Sequence, residues 1–151
     1  MDYFTQNNKR RLPQGIQSFE MLRRDGYVYV DKTDLVWQLA HGGMFNYLSR
    51  PRRFGKSLLL STLHSYFDGR RDLFEGLAIA GLEQKWEKYP VLHLDFTRGG
   101  YKNPGDLESF LEKTVSEWEM EYGISESKYS PELRFDTVIR HLYRQTGQRV
   151  V

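Results

Sequence analysis

With 151 residues, 39 % of them apolar and 15 % aromatic, the chain is long enough for one packed core and too apolar for a disordered segment. Its 22 basic and 20 acidic residues leave a net charge of +2, which by itself calls for neither nucleic acid nor an anionic membrane. The absence of cysteine excludes disulfides and thiolate metal sites and suits a reducing compartment.

Residues 1–12 read as a loose leader: Gln6-Asn7-Asn8-Lys9-Arg10-Arg11 is polar and basic, with no apolar segment of the kind a signal peptide needs. No run is long enough to cross a bilayer, so the expectation is a soluble, cytoplasmic protein. Ile16, Phe19, Met21 and Leu22 then predict a short helix that stops at Asp25-Gly26, where glycine takes the left-handed cap. Tyr27-Val28-Tyr29-Val30 predicts a short strand, and Leu35, Val36, Leu39 and Ala40 a helix stopping at Gly42-Gly43. Between them, Asp31-Lys32-Thr33-Asp34 has two readings. Asp31 or Thr33 caps the helix that follows, or the turn lies beside the base of a nucleotide.

Met44-Phe45-Asn46-Tyr47-Leu48 predicts a strand, and the leucines of residues 56–67 predict a helix. Between the two stands Ser49-Arg50-Pro51-Arg52-Arg53-Phe54-Gly55-Lys56-Ser57. Gly55, Lys56 and Ser57 supply the second half of the G-x-x-x-x-G-K-[ST] phosphate loop, while Arg50 stands where that pattern has its first glycine. Such a loop binds phosphate with backbone N–H groups and the N-terminus of the following helix. Residues Arg52, Arg53, Phe54, Gly55, Lys56, Ser57 and Leu58 are therefore the candidate cofactor-binding set. Lys56 is the candidate catalytic cation, bridging β- and γ-oxygens, and Ser57 a magnesium ligand. The blander alternative is a basic turn that happens to contain Gly-Lys-Ser ahead of a helix, with its arginines simply solvated.

Farther along, Leu73, Phe74, Leu77 and Ile79 predict a compact connection, and residues 82–89 a short helix closed by Pro90. Val91-Leu92-His93-Leu94-Asp95-Phe96 predicts a second strand, with Leu92, Leu94 and Phe96 on one face. Two strands separated by a helix point to a right-handed parallel βαβ unit, and Asp95 then falls at the carboxyl edge where such sheets bind ligands. Asp95 is accordingly a candidate for Mg²⁺ or its water, against the plainer role of a capping carboxylate. Residues 106–122 predict an amphipathic helix, and Ser130-Pro131-Glu132 starts another, with Leu133, Phe135, Val138, Ile139, Leu142 and Tyr143 as its apolar side and Gly147 as its stop. Gln148-Arg149-Val150-Val151 begins a further predicted strand. His41, His64, His93 and His141 have no metal-site spacing, and Trp37, Trp86 and Trp118 suit helix packing better than stacking platforms.

On Tyr29-Val30-Asp31-Lys32-Thr33, Leu48-Ser49-Arg50-Pro51-Arg52-Arg53-Phe54-Gly55-Lys56-Ser57-Leu58-Leu59 and Tyr89-Pro90-Val91-Leu92-His93-Leu94-Asp95-Phe96, the chain resembles a bacterial family of AAA-ATPase-like proteins, related to signal-transducing and archaeal-type P-loop ATPases. The resemblance runs from about Leu12 onward. It implies an α/β, three-layer P-loop NTPase fold with a parallel sheet over residues 13–151, incomplete because the chain ends at the start of the Walker B strand. It implies ATP and Mg²⁺ as cofactors and places Asp31 near the adenine. In that family the R-P-R-R-F-G-K-S form is usual, and many members carry a C-terminal nuclease-like domain; nucleic acid, through the basic clusters Lys9-Arg10-Arg11 and Arg23-Arg24, is an alternative partner that the balanced charge does not support. Without the Walker B acids the expectation is nucleotide binding with little hydrolysis, or a regulatory binding module.

Overall fold

A computed structural model describes residues 10–125 and 128–151, so residues 1–9 of the expected leader lie outside the described residues. The chain divides into two compact units, Met1–Glu87 and Lys88–Val151. All regular structure among the described residues is helical: α1 Phe19–Arg24, α2 Thr33–His41, α3 Lys56–Phe67, α4 Arg71–Phe74 and α5 Ile79–Leu82 in the first unit, then a 3-10 turn Phe96–Arg98, α6 Pro104–Glu121 and α7 Pro131–Thr146 in the second.

This corrects the expected three-layer α/β fold. The segments predicted as strands, residues 27–30, 44–48, 91–96 and 148–151, carry no β-ladder, and no parallel sheet forms among the described residues. The physical reason is that a strand is defined by its neighbour. Val28 N–H reaches only the carbonyl of Arg11 at 2.8 Å, and residues 44–48 leave Met44, Phe45 and Tyr47 more than four-fifths exposed. In the second unit Leu92 N–H donates to Val151 O at 2.8 Å and Val151 N–H to Pro90 O at 2.9 Å, a backbone pairing one residue deep.

Helices α1, α3 and α7 follow the sequence signals closely, whereas α2 and α6 each start two residues ahead of the expected Leu35 and Asp106, and α4 and α5 form where a compact connection is expected. Ser18 caps α1, its hydroxyl accepting from Met21 N–H, and Gly26 takes φ +66 just past the end. Asn103 and Pro104 open α6, and the Asp106 carboxylate turns back to accept from the N–H groups of Lys102 and Asn103 at 2.7 and 2.8 Å. Ser130 and Pro131 open α7, and Gly147 closes it at φ +69. The helix predicted over residues 82–89 does not form. Glu83 ends α5, and Trp86 sits at φ +48, held there by packing of its ring on Phe74 and Tyr66.

The first unit packs Phe19, Val36, Tyr66, Leu73, Phe74 and Ile79 into one core, flanked by Leu58, Leu59, Leu63, Trp37 and Trp86. Phe19 and Phe74 meet with ring centroids 4.7 Å apart, joining α1 to α4. Two polar clamps fix the same elements. Phe19 N–H donates to Ser61 Oγ on α3 at 2.9 Å, and the Arg23 guanidinium donates to the carbonyls of Leu73 and Glu75 at 2.7 and 2.6 Å.

The second unit packs Val115 and Trp118 of α6 against Val138 and Leu142 of α7, with Leu92, Leu94 and Val150 alongside. Leu92 and Leu94 thus do share a buried face, as their alternation predicts. On α7, however, Leu133, Phe135 and Tyr143 are exposed, and the buried stripe runs Arg134, Val138, Leu142. Arg134 enters the interior because Glu119 of α6 meets it bidentately, through Nε at 3.1 Å and Nη2 at 2.5 Å, while Nη2 also donates to Ser116 Oγ at 2.7 Å. A buried charge is tolerated only with such pairing. No helix among the described residues is long and apolar enough to cross a membrane.

Candidate functional site

The candidate loop lies wholly in the first unit. Residues 50–57 are all exposed, and helix α3 begins at Lys56, the position that the Gly-Lys-Ser pattern requires. Two residues of the loop take left-handed backbone, Arg53 at φ +68 and Gly55 at φ +76. Successive left-handed and ordinary residues turn N–H groups toward a common side, which is the geometry of an anion-binding nest. A Cβ added at Gly55 would meet nothing within 4 Å, so space does not require the glycine there; the positive φ does.

No side chain caps α3, and its first turn contains no acid. Its leading N–H groups therefore keep the partial positive charge of a helix start, facing the loop. The Lys56 ammonium folds back over the loop and donates to the carbonyl of Arg50, closing residues 50–56 into a ring. Arg50, Arg52, Arg53 and Lys56 put four cations within seven residues, and residues 35–67 include no aspartate or glutamate. The donor set, N–H groups with one lysine and one serine hydroxyl, suits phosphate with a hard divalent cation.

Upstream, the loop is anchored at the exit of α2. The Asn46 amide donates to the carbonyls of Leu39 and Gly43 at 3.4 and 3.2 Å. At Gly42 a Cβ would lie 2.9 Å from the Gln38 carbonyl, so only glycine fits this exit. Downstream, Leu58, Leu59 and Leu63 seat α3 on the core.

Asp31 is committed to its own fold. Its Oδ1 accepts from the Thr33 N–H at 2.9 Å and the Thr33 hydroxyl at 2.7 Å, and its Oδ2 accepts from Ala78 N–H at 2.7 Å. Thr33 Oγ1, fully buried, accepts in turn from Ile79 N–H at 3.1 Å. The turn therefore caps α2 and also holds the start of α5, 46 residues farther on. Burial pushes the Asp31 carboxyl up, but the Thr33 and Ala78 donors outweigh it and hold it below the ordinary carboxylate range.

Asp95 belongs to the second unit, where it caps the 3-10 turn: Oδ1 accepts from Thr97 N–H at 2.9 Å and from the Thr97 hydroxyl at 2.7 Å. Ser57 and Asp95 thus lie in different units. No group of three or more His, Asp or Glu side chains able to hold a metal ion occurs among the described residues.

Sequence reasoning missed two features here. The buried bond that Ile79 N–H of α5 donates to Thr33 had no local signal, since the donor lies in a connection of ordinary composition. Left-handed Arg53 did have one: its place in a tight, Pro-led turn two residues before a glycine.

Comparison with known proteins adds the context of a lineage. Residues 13–151 match the model of a family described as predicted AAA-ATPase. An uncharacterized protein from the vnfD 5' region of Azotobacter chroococcum mcd 1 is 38 % identical over 148 residues, spanning 95 % of this chain. The chain covers 28 % of that relative's length. No solved structure matches it.

Proposed function

The chain belongs to the predicted AAA-ATPase family, and on that premise we propose that residues 50–58 bind the phosphates of ATP together with Mg²⁺. The observation that carries this reading is the uncapped start of α3 behind a left-handed turn, with Lys56 drawn across the loop. Backbone N–H groups from Arg52 to Leu58 donate to phosphate oxygens. Lys56 exchanges the Arg50 carbonyl for a phosphate oxygen, an anionic acceptor that holds an ammonium more strongly than a neutral carbonyl does. The Ser57 hydroxyl offers an oxygen ligand to the magnesium ion. Arg52 and Arg53 add positive potential, which raises the local concentration of a polyanion. When bound, Mg-ATP supplies a terminal phosphoryl group whose negative charge these donors neutralise.

The activity proposed is binding. Turnover also requires a carboxylate that orients water, and neither the loop nor α3 carries one.

Titration of this chain with a fluorescent ATP analogue, with and without Mg²⁺, tests the reading beside Lys56→Ala. Loss of the lysine is expected to weaken binding at least about tenfold, the cost of one charge-assisted contact. Equal affinity of the two proteins would remove the loop as the binding site.

A further inference from the structure

We propose that Arg53 is a specificity-determining residue of the phosphate loop, whose side chain favours nucleoside triphosphate over diphosphate; this rests on the reading of residues 50–58 as a nucleotide site. Two residues other than glycine take positive φ among the described residues, Trp86 and Arg53. Trp86 is compensated within the fold: its ring packs against Phe74 and Tyr66 at 5.2 and 5.8 Å, and its Nε1–H donates to the Glu83 carbonyl at 3.1 Å. Arg53 is exposed, and no hydrogen bond or ion pair with a described residue engages its guanidinium.

A left-handed position costs an L-residue free energy that glycine does not incur. The backbone of this turn would therefore be served better by glycine, as at Gly55 two residues on. Nor do the surroundings favour a cation. Arg50, Arg52 and Lys56 are its near neighbours in sequence, and residues 35–67 provide no carboxylate. A bound anion relieves the like-charge crowding and offsets the cost of the strained backbone, and the electrostatic gain grows with the anion's charge. A triphosphate carries about one charge more than the diphosphate. Arginine also offers a planar fork that pairs two phosphate oxygens at once, which distinguishes it from a diffuse counter-charge.

The test is calorimetric titration of Mg-ATP and Mg-ADP into the 151-residue chain and its Arg53→Gly, Arg53→Lys and Lys56→Ala variants, with a thermal melt of each apo protein. Arg53→Gly is expected to lower ATP affinity about tenfold and ADP affinity less than threefold. The same variant is expected to raise the apo melting temperature by about 1–3 °C, because the strain is released. Arg53→Lys keeps the charge but not the fork, and is expected to retain only part of the ATP preference without the rise in melting temperature. Equal losses for ATP and ADP, or no loss for either, with Lys56→Ala still abolishing binding, would overturn the role of Arg53 alone. A lower melting temperature for Arg53→Gly would mean that the strain at this position is smaller than the chain entropy glycine adds to the unfolded state, and would remove the premise. No binding of either nucleotide by the unaltered chain would overturn the phosphate-loop reading itself.

Discussion

Each unit contains an Asp-x-Thr turn, Asp31-Lys32-Thr33 in the first and Asp95-Phe96-Thr97 in the second, and the two are locally the same. In both, one carboxylate oxygen accepts from the threonine N–H at 2.9 Å and from its hydroxyl at 2.7 Å. Their surroundings differ. Thr33 is fully buried and its oxygen receives Ile79 N–H, while the second Asp31 oxygen receives Ala78 N–H; Thr97 is exposed. A side chain that competes for nearby backbone N–H groups makes the turn wherever the sequence occurs. Only burial turns it into a joint between distant segments.

The comparison is broken most directly at Thr33. Thr33→Val keeps the shape but removes the acceptor, leaving the Ile79 N–H unsatisfied in the interior. The expected loss is about 2–3 kcal/mol, read as a lower urea midpoint at unchanged slope. An effect below about 0.5 kcal/mol would mean the joint is redundant with the surrounding apolar packing.

A smaller effect is expected at Asp31. Asp31→Asn retains an acceptor for Thr33 but offers an N–H₂ where Ala78 N–H needs an oxygen, and because the group is exposed the expected cost is about 1 kcal/mol at neutral pH. Its pH dependence has a fixed sign. A carboxyl held below its ordinary range contributes stability that is fully present above about pH 4 and is lost as the pH falls through its lowered native value. Parallel urea melts of the two proteins should therefore differ at pH 7 and converge in acid. A gap that widened on acidification would contradict the hydrogen-bonding pattern.

The smallest effect belongs to the exposed turn. Thr97→Val removes the same hydroxyl contact, but water replaces what is lost, so the expected change is within about 0.5 kcal/mol. If Thr97→Val proved as costly as Thr33→Val, the contrast in burial would not be what separates the two turns.

How much of the molecule is legible in the sequence follows the same division. Helices α3 and α7 start and stop where the sequence signals place them, because those signals act within one turn of chain, while α6 opens at Pro104, two residues ahead of the expected 106. The Gly55-Lys56-Ser57 start of α3 is of this kind, and so is the cap formed by Asp95. The core of α7 is different. Its apolar residues predict a wide buried face, yet Leu133 and Phe135 are exposed and Arg134 is buried, since Glu119 and Ser116 on α6 supply its partners. No pattern within α7 reports what α6 carries.

The amino-acid sequence by itself determined the boundaries of α3 and α7, the Asp-x-Thr turns and the chemical character of the loop at residues 50–57, which depend on groups reaching backbone a few residues away. Tertiary structure alone decided the rest. The apolar runs at residues 27–30, 44–48 and 91–96 have strand composition, but a ladder needs a second chain segment paired over several residues, and among the described residues the backbone pairing goes no further than Val28 with Arg11 and residues 90–92 with Val151. Tertiary structure likewise divided the chain into two compact units and set Thr33 beneath Ile79, because contacts between segments 46 residues apart are fixed by packing and not by local preference.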